Sequence, residues 1–567
     1  MALDFLSAGV TNPISWAFGL INGPWEGSIF KKETWESLMN GLRVTLTFGT
    51  ALLILYEVRA KRLGENYSER TKRRIGIFLT TLGFLVYYDG FNANVRYDQY
   101  YHRHEFFHYY LGAKYDRELG YHRLYECALI AEGEFSPRGK AAITGREIRD
   151  LRVDLIKPVK DTYVLSDPNE CKKHFTPEAW AAFKKDVSWV ESVARGSYWE
   201  NMLKDHGYNP PPVWTMDGKF FASFGTLSHE FCLALAAIDI ALQLGCVLLI
   251  GWAFGWRIMT VATVFWGCNA PANFYWTGGA FMRMDYIFFL VAAVCLARKR
   301  RFGLAGAALT WSSLLRVFPV ILFFGWGVMI LIHLIRHRAF HPDHKRLIAG
   351  CAVAAGVLIP ASIAVTGVDA YKEFAHHISV HKRTPLTNTM GLETVLEHDW
   401  EGRMRFTRDD NLDDPFEGWK NGRLGRFTKM KPVFLAVTGF VALWTVWALR
   451  RTKLLWAAVP MGLLLLMCLT NLTCYYYNVC MIAAALALQR PGIAPVMLVV
   501  SGASQILLRH YYWVDDKYTA QSYLWLLLGA LILYSYSRPF SMQRLRAWLA
   551  GKPEPHDPPK LETAPAE

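Results

Sequence analysis

Apolar runs separated by short polar turns fill most of the chain, falling at about 41–57, 75–91, 231–255, 258–271, 281–297, 302–315, 318–335, 347–366, 432–449, 454–472, 474–488, 491–508 and 521–537. Read as helices, they predict an all-α polytopic membrane protein with about 13 (11–13) transmembrane helices. Several runs are shorter than the roughly 20 residues that cross a bilayer upright, so 302–315 and 318–335 are candidates for re-entrant or broken helices. The pattern divides the chain into an N-terminal interfacial segment (1–40), first transmembrane helices (41–91), a large polar loop (92–230), a second helical block (231–366), a second polar loop (367–431), C-terminal helices (432–537) and a Pro-rich, disordered tail (538–567). The N-terminus has no basic stretch ahead of a long apolar core, so it reads as an uncleaved segment lying along the interface.

Composition agrees with a bilayer solvent: 52% of the residues are hydrophobic and 21 are Trp. A formal net charge of +14 raises nucleic acid as a partner. The basic residues, however, sit in short clusters between apolar runs, the positive-inside pattern of membrane proteins, which argues against it. Arg59 to Arg74, Arg298 to Arg301, Arg336 to Arg346 and Arg450 to Lys453 all fall on one side, predicted to be cytoplasmic with the tail. Both polar loops then face outward, from the inner (plasma) membrane of a cell. Among the ten cysteines, Cys232, Cys246, Cys268, Cys295, Cys351 and Cys468 lie in apolar runs as small apolar side chains. Cys127 and Cys171 share the first loop and can pair if that loop faces an oxidising compartment.

The densest chemistry lies between Tyr97 and Glu126, just after the second apolar run. Asp98, Glu105, Asp116, Glu118 and Glu126 are candidate bases, and His102, His104 and His108 are candidate acids or metal ligands. His104-Glu105-Phe106-Phe107-His108 matches HExxH, which on a helix places two imidazoles on one face for zinc, with the glutamate as base. No third ligand is evident from the sequence. The simpler reading of each acid is a solvated loop carboxylate. The first loop is long enough to fold by itself, with helix-compatible residues at 177–206 and a break at Pro210 to Pro212.

Taken whole, the stretch resembles the first outward loop of the GT-C superfamily of integral-membrane glycosyltransferases. Asp98 follows an early transmembrane helix, and Gly120-Tyr121-His122-Arg123-Leu124-Tyr125 is similar to the "G..LY" stretch of the family 87 branch, whose members are polyprenyl-phosphate-mannose-dependent mannosyltransferases and their likenesses. Gly278 to Asp285 (GGAFMRMD), an apolar span and Arg316-Val317-Phe318-Pro319 resemble that family's "GQ.N" helix followed by a "K..P" helix, with no Gln in the first and Arg for Lys in the second. His381 to Leu392 (HKRTPLTNTMGL) resembles its histidine followed by an "NQS"-like segment, keeping only Asn388.

The resemblance implies transfer of a sugar, with mannose as the candidate, from a polyprenyl-phosphate donor to a lipid-linked, glycan or protein acceptor on the extracytoplasmic face. Inversion at the anomeric carbon without a covalent sugar–enzyme intermediate is also implied. No cofactor is required by that branch, although a divalent metal stays possible because other GT-C branches use one. Such a reaction needs a base for the acceptor hydroxyl and cationic or hydrogen-bonding groups for the departing phosphate. Asp98, Glu105 and His381 are the candidate catalytic residues. His108, Lys114, Glu118, Tyr121, Arg283, Arg316, Lys382, Arg383 and Asn388 are candidate substrate ligands.

His381, Lys382 and Arg383 read as a compact cationic group for phosphate, or equally as an interfacial cluster on lipid head groups. Arg283, Asp285 and Arg316 lie in or beside apolar runs, where charges are costly; they bind donor phosphate or form an Arg–Asp pair between helices. Two other classes fit parts of the pattern. A transporter or lipid-glycan flippase explains the spans and intramembrane charges. A membrane zinc peptidase using His104 and His108 explains HExxH.

Overall fold

The computed structural model describes residues 32–65, 67–92, 100–194, 196–382, 384–412, 414–537 and 546. Asp98, Arg383, the interfacial segment up to residue 31 and nearly all of the tail lie outside the described residues.

Each apolar run read from the sequence lies in or overlaps a helix. Among the described residues, six helices are long and apolar enough to cross a membrane: Lys32–Arg62, His229–Phe254, Phe318–His337, Pro342–Thr366, Glu417–Leu449 and Ile493–His510. Others are shorter. Phe302–Leu315 has 14 residues and would span about 21 Å at 1.5 Å per residue, less than the ~30 Å hydrocarbon layer. The run at 454–472 is two helices, Leu455–Met461 and Leu463–Leu469, meeting at Gly462 just after Pro460. Cys474–Leu488 winds with 3-10 geometry.

Two boundaries differ from the hydropathy reading for one reason. The helix expected at 41–57 already covers Lys32–Arg62, and the helix expected at 432–449 begins at Glu417 and runs through Pro432. Polar, helix-compatible residues extend an apolar helix beyond the bilayer, where hydropathy no longer reports it. Close packing also shapes the bundle. A Cβ on Gly267 would collide with the Gly83 carbonyl oxygen, so helices Glu69–Tyr87 and Trp256–Gly267 cross with their backbones nearly touching.

The four basic clusters gather at one end of the bundle. Arg257 pairs with Glu57 and Glu69, each at 3.0 Å, and Lys72 reaches Glu57 at 3.2 Å. Arg300 approaches Asp343 at 3.8 Å, while Arg298 lies over the Trp456 ring and Lys299 over that of Trp252. The opposite end carries both polar segments. Arg117 of the first donates to the carbonyls of Ala364 and Val365, and Thr389–Met390 of the second pairs antiparallel with Leu472–Thr473.

The first polar segment is a helical subdomain with one hairpin, Glu147–Asp150 with Leu155–Pro158. Phe107, Tyr125, Phe183 and Trp199 are fully buried in it, and Cys127 and Cys171 are joined by a disulfide. Within the second polar segment Asp369–Lys382 is a helix. It lies against the subdomain, with Phe374 and His377 facing Tyr121.

Candidate functional site

Residues 103–114 form one helical stretch, α-helical at Arg103–Glu105, widened to a π-turn at Phe106–Tyr110 and α-helical again at Leu111–Lys114. Spacing of four along it makes two neighbouring stripes. Glu105 and Tyr109 face the membrane bundle, whereas His104 and His108 face the subdomain, so the HExxH residues part company.

Glu105 meets Arg283. The Arg283 Nε lies 3.1 Å from the Glu105 Oε2, its Nη1 donates to the Tyr109 hydroxyl, and the guanidinium lies 4.3 Å from the Tyr109 ring centroid and 5.1 Å from that of Tyr475. The loop bearing Arg283 is held from two sides. Asp239, inside the membrane helix His229–Phe254, accepts from the backbone N–H of Arg283 and of Met284, both at 3.0 Å. Gly279 has φ +68° and a Cβ there would strike the Tyr100 carbonyl, while its own carbonyl accepts from His102 N–H at 2.8 Å.

Arg316 lies close by, just past the end of Phe302–Leu315. It packs over Trp214, Tyr109 and Tyr286 at 5.5, 5.9 and 5.9 Å, and donates through Nη1 to the Leu315 carbonyl. Its Nη2 is buried without a hydrogen-bond partner, and no carboxylate lies within ion-pair distance of it among the described residues. The Arg–Asp pair weighed from the sequence does not form: Asp285 accepts from Tyr286 N–H, and Arg283 pairs with Glu105 instead. A buried guanidinium with an unsatisfied N–H is costly and suits an anionic oxygen.

On the other stripe His104 Nε2 lies 2.7 Å from Asp205 Oδ2, and the rings of His104 and His108 are 4.5 Å apart. Asp205 is thus the third ligand-type residue that the sequence did not reveal. One ligand atom from each of His104, His108 and Asp205 lies within 4.8 Å of the others. His108 Nδ1 contacts the His104 carbonyl and its Nε2 the Tyr125 hydroxyl, both at 2.7 Å; burial, with His104 beside it, lowers its pKa to about 3 and keeps it neutral. A second group follows directly in sequence: His206 touches Asp154 at 3.0 Å and stands 5.3 Å, ring to ring, from His381.

His381 therefore does not act with Lys382 as a cationic unit. Burial lowers its pKa to about 4, so it is neutral at pH 7, and it faces Asp154 and His206 while Lys382 is exposed. Lys114 is also committed elsewhere, donating to Asp186 at 2.8 Å and to Tyr110 and Gly225 at 2.9 Å. Asn388 accepts through its backbone carbonyl from Cys474. Tyr121 donates to the Pro210 carbonyl at 2.7 Å and lines a cavity of about 430 Å³, with Asp116, Arg117, Arg123, Tyr208 and Glu373. Neighbouring Glu118 keeps Oε2 buried and unpartnered, and burial raises its carboxyl above the usual range.

Asp217, which the sequence did not single out, sits on helix Pro212–Ala222 one turn from Trp214 and accepts from the Trp311 indole at 3.4 Å. Burial pushes its carboxyl up to about 7 from an ordinary 3.8, Trp311 opposing and Asp285 adding. The folded form keeps this proton where the unfolded chain has released it. The associated stability is complete below about pH 3.8 and is lost as pH rises through about 7. Asp217→Asn is expected to remove that slope and to melt above the wild type at about pH 8. Parallel melting curves of the two from about pH 4 to 8 would refute the assignment.

Comparison of the chain with protein-family models, with curated proteins and with solved structures finds no match to any of them. The functional reading rests on the residues themselves.

Proposed function

We propose that this chain is an integral-membrane glycosyltransferase that transfers a sugar from a polyprenyl-phosphate donor to a lipid-linked, glycan or protein acceptor at the outer face of the inner membrane. The observation that carries it is Arg316, a buried guanidinium with an unpartnered nitrogen, framed by Trp214, Tyr109 and Tyr286 where the subdomain meets the bundle. A phosphate oxygen supplies the missing acceptor, and the aromatic frame excludes water so that the charge interaction is strong. The cavity beside Tyr121 and Tyr208 has the size and mixed polar and aromatic lining of a sugar site.

In the reaction the acceptor hydroxyl oxygen attacks the anomeric carbon, the bond from that carbon to the phosphate oxygen breaks, and the hydroxyl proton passes to a carboxylate. Polyprenyl phosphate leaves with the bonding pair, and Arg316 takes up its developing charge. Glu105 is held in an ion pair by Arg283, which makes it a positioning residue for that arginine. Asp98 is the favoured base.

Transfer of radiolabelled sugar from polyprenyl-phosphate donors tests the reading. Asp98→Asn is expected to lower kcat by about 10²–10⁴-fold. Unchanged activity in that variant moves the base to Glu105, to be checked with Glu105→Gln. Absence of transfer by the wild type from every polyprenyl-phosphate sugar tried sinks the reading itself.

A membrane zinc peptidase is the second reading, favoured by Asp205 completing a His104–His108 ligand set. Against it, the HExxH glutamate must stand beside the metal-bound water to act as base, and Glu105 is turned to Arg283.

A further inference from the structure

We propose that Asp154, His206 and His381 bind one divalent transition-metal ion, which clamps the second polar segment onto the subdomain. One ligand atom from each lies within 4.8 Å of the others. A tetrahedral ion with nitrogen and oxygen ligands holds them roughly 3.4 Å apart, so small side-chain rotations close the site. His206 Nδ1 is already 3.0 Å from both Asp154 carboxylate oxygens, a contact that an ion would replace.

A further observation points to a missing ligand. The Nδ1 of His381 is buried without a hydrogen-bond partner. Buried polar atoms are rarely left so, and a neutral imidazole is the form that ligates. Asp154 sits at the turn of the hairpin with φ +60°, a left-handed conformation open to Asp, and the turn presents its carboxylate. Arg149 donates to the Asp154 carbonyl at 2.7 Å and approaches Oδ1 at 3.5 Å, and Thr384 also lies within reach of this carboxylate. At His381 the charge of Arg149 is opposed by that of Asp205, adjacent to His206.

Two imidazoles and one carboxylate suit zinc, manganese or ferrous iron rather than the oxygen-seeking magnesium and calcium. The ligands come from three separated places: the hairpin turn, the stretch before Pro210 and helix Asp369–Lys382. An ion there would fix that helix, whose start at Asp369 to Glu373 forms one wall of the 430 Å³ cavity. The site does not depend on the transfer reaction.

The full chain in detergent, stripped with chelator, is titrated with Co²⁺ and with Zn²⁺, reading metal content and visible cobalt absorption. We expect a bound ion whose affinity falls at least about 10-fold in both His206→Ala and His381→Ala and is unchanged in His344→Ala, among the histidines of the opposite end. Equal melting of stripped wild type and His381→Ala checks folding. Independently of any variant, Co²⁺ is expected to slow diethyl pyrocarbonate modification of His206 and His381 in the wild type. No cobalt absorption, unchanged modification rates, or wild-type affinity in both variants overturns the proposal. So does binding lost in His104→Ala but kept in His381→Ala, which places the ion in the neighbouring triad.

Discussion

Replacing Arg316 by glutamine is expected to lower kcat for sugar transfer by about 10²–10³-fold, the usual consequence of removing one preorganised donor from a developing oxyanion. The effect is large because the guanidinium is buried among aromatic rings, where water cannot take its place. Arg316→Lys is expected to recover only part of the rate, since an ammonium keeps the charge but loses the planar fork and its stacking on Trp214 and Tyr286. If the contact strengthens as the phosphate leaves, kcat falls more than KM rises. Wild-type transfer kinetics in Arg316→Gln would remove this residue from the chemistry and with it the main support for the proposed reaction.

The largest effect on stability is expected at Asp186. Its side chain is fully buried and accepts from Lys114 Nζ at 2.8 Å, the Tyr115 hydroxyl at 2.8 Å and the Leu227 N–H at 2.9 Å. These contacts join helix Pro177–Ala194, the end of the 103–114 stretch and the start of the chain's return to the membrane. Asp186→Ala leaves the Lys114 ammonium without its carboxylate and two donors unsatisfied, a loss of about 3–5 kcal/mol. Hydrogen exchange should show protection lost through the subdomain while the long apolar helices keep theirs. Wild-type exchange in the variant would show that Lys114 finds another acceptor.

Lys114 also illustrates how a candidate ligand in sequence becomes a structural residue in space. Nothing in residues 110–118 announces Asp186, some 70 positions away, and its contact with Lys114 exists only once helix Pro177–Ala194 has folded back. Separation along the chain likewise hid Asp205 from His104 and Asp154 from His206 and His381. Arg283 and Arg316 were legible, because a charge among apolar residues is costly enough to mark itself. Their partners were not: Asp239 looks like one more interrupted apolar helix until the loop at Gly278 to Met284 is laid across it.

HExxH is the sharpest case. The motif predicts one site, yet the packing on either side of the helix gives Glu105 and His104 different neighbours. A local spacing specifies which residues share a helix face, and it is silent on what each face meets.

By itself the sequence determined the helical class, the apolar segments, the gathering of basic clusters apart from the polar loops, and the residues in which chemistry is concentrated. Those follow from hydration: apolar helices leave water, and charges stay near it or take partners. Only the tertiary structure decided that Arg283 is neutralised while Arg316 keeps a free nitrogen, and that His381 belongs with Asp154 and His206 rather than with Lys382. Such pairings depend on which chain segments pack together, and that is settled by the burial of the whole chain rather than by any one stretch of it.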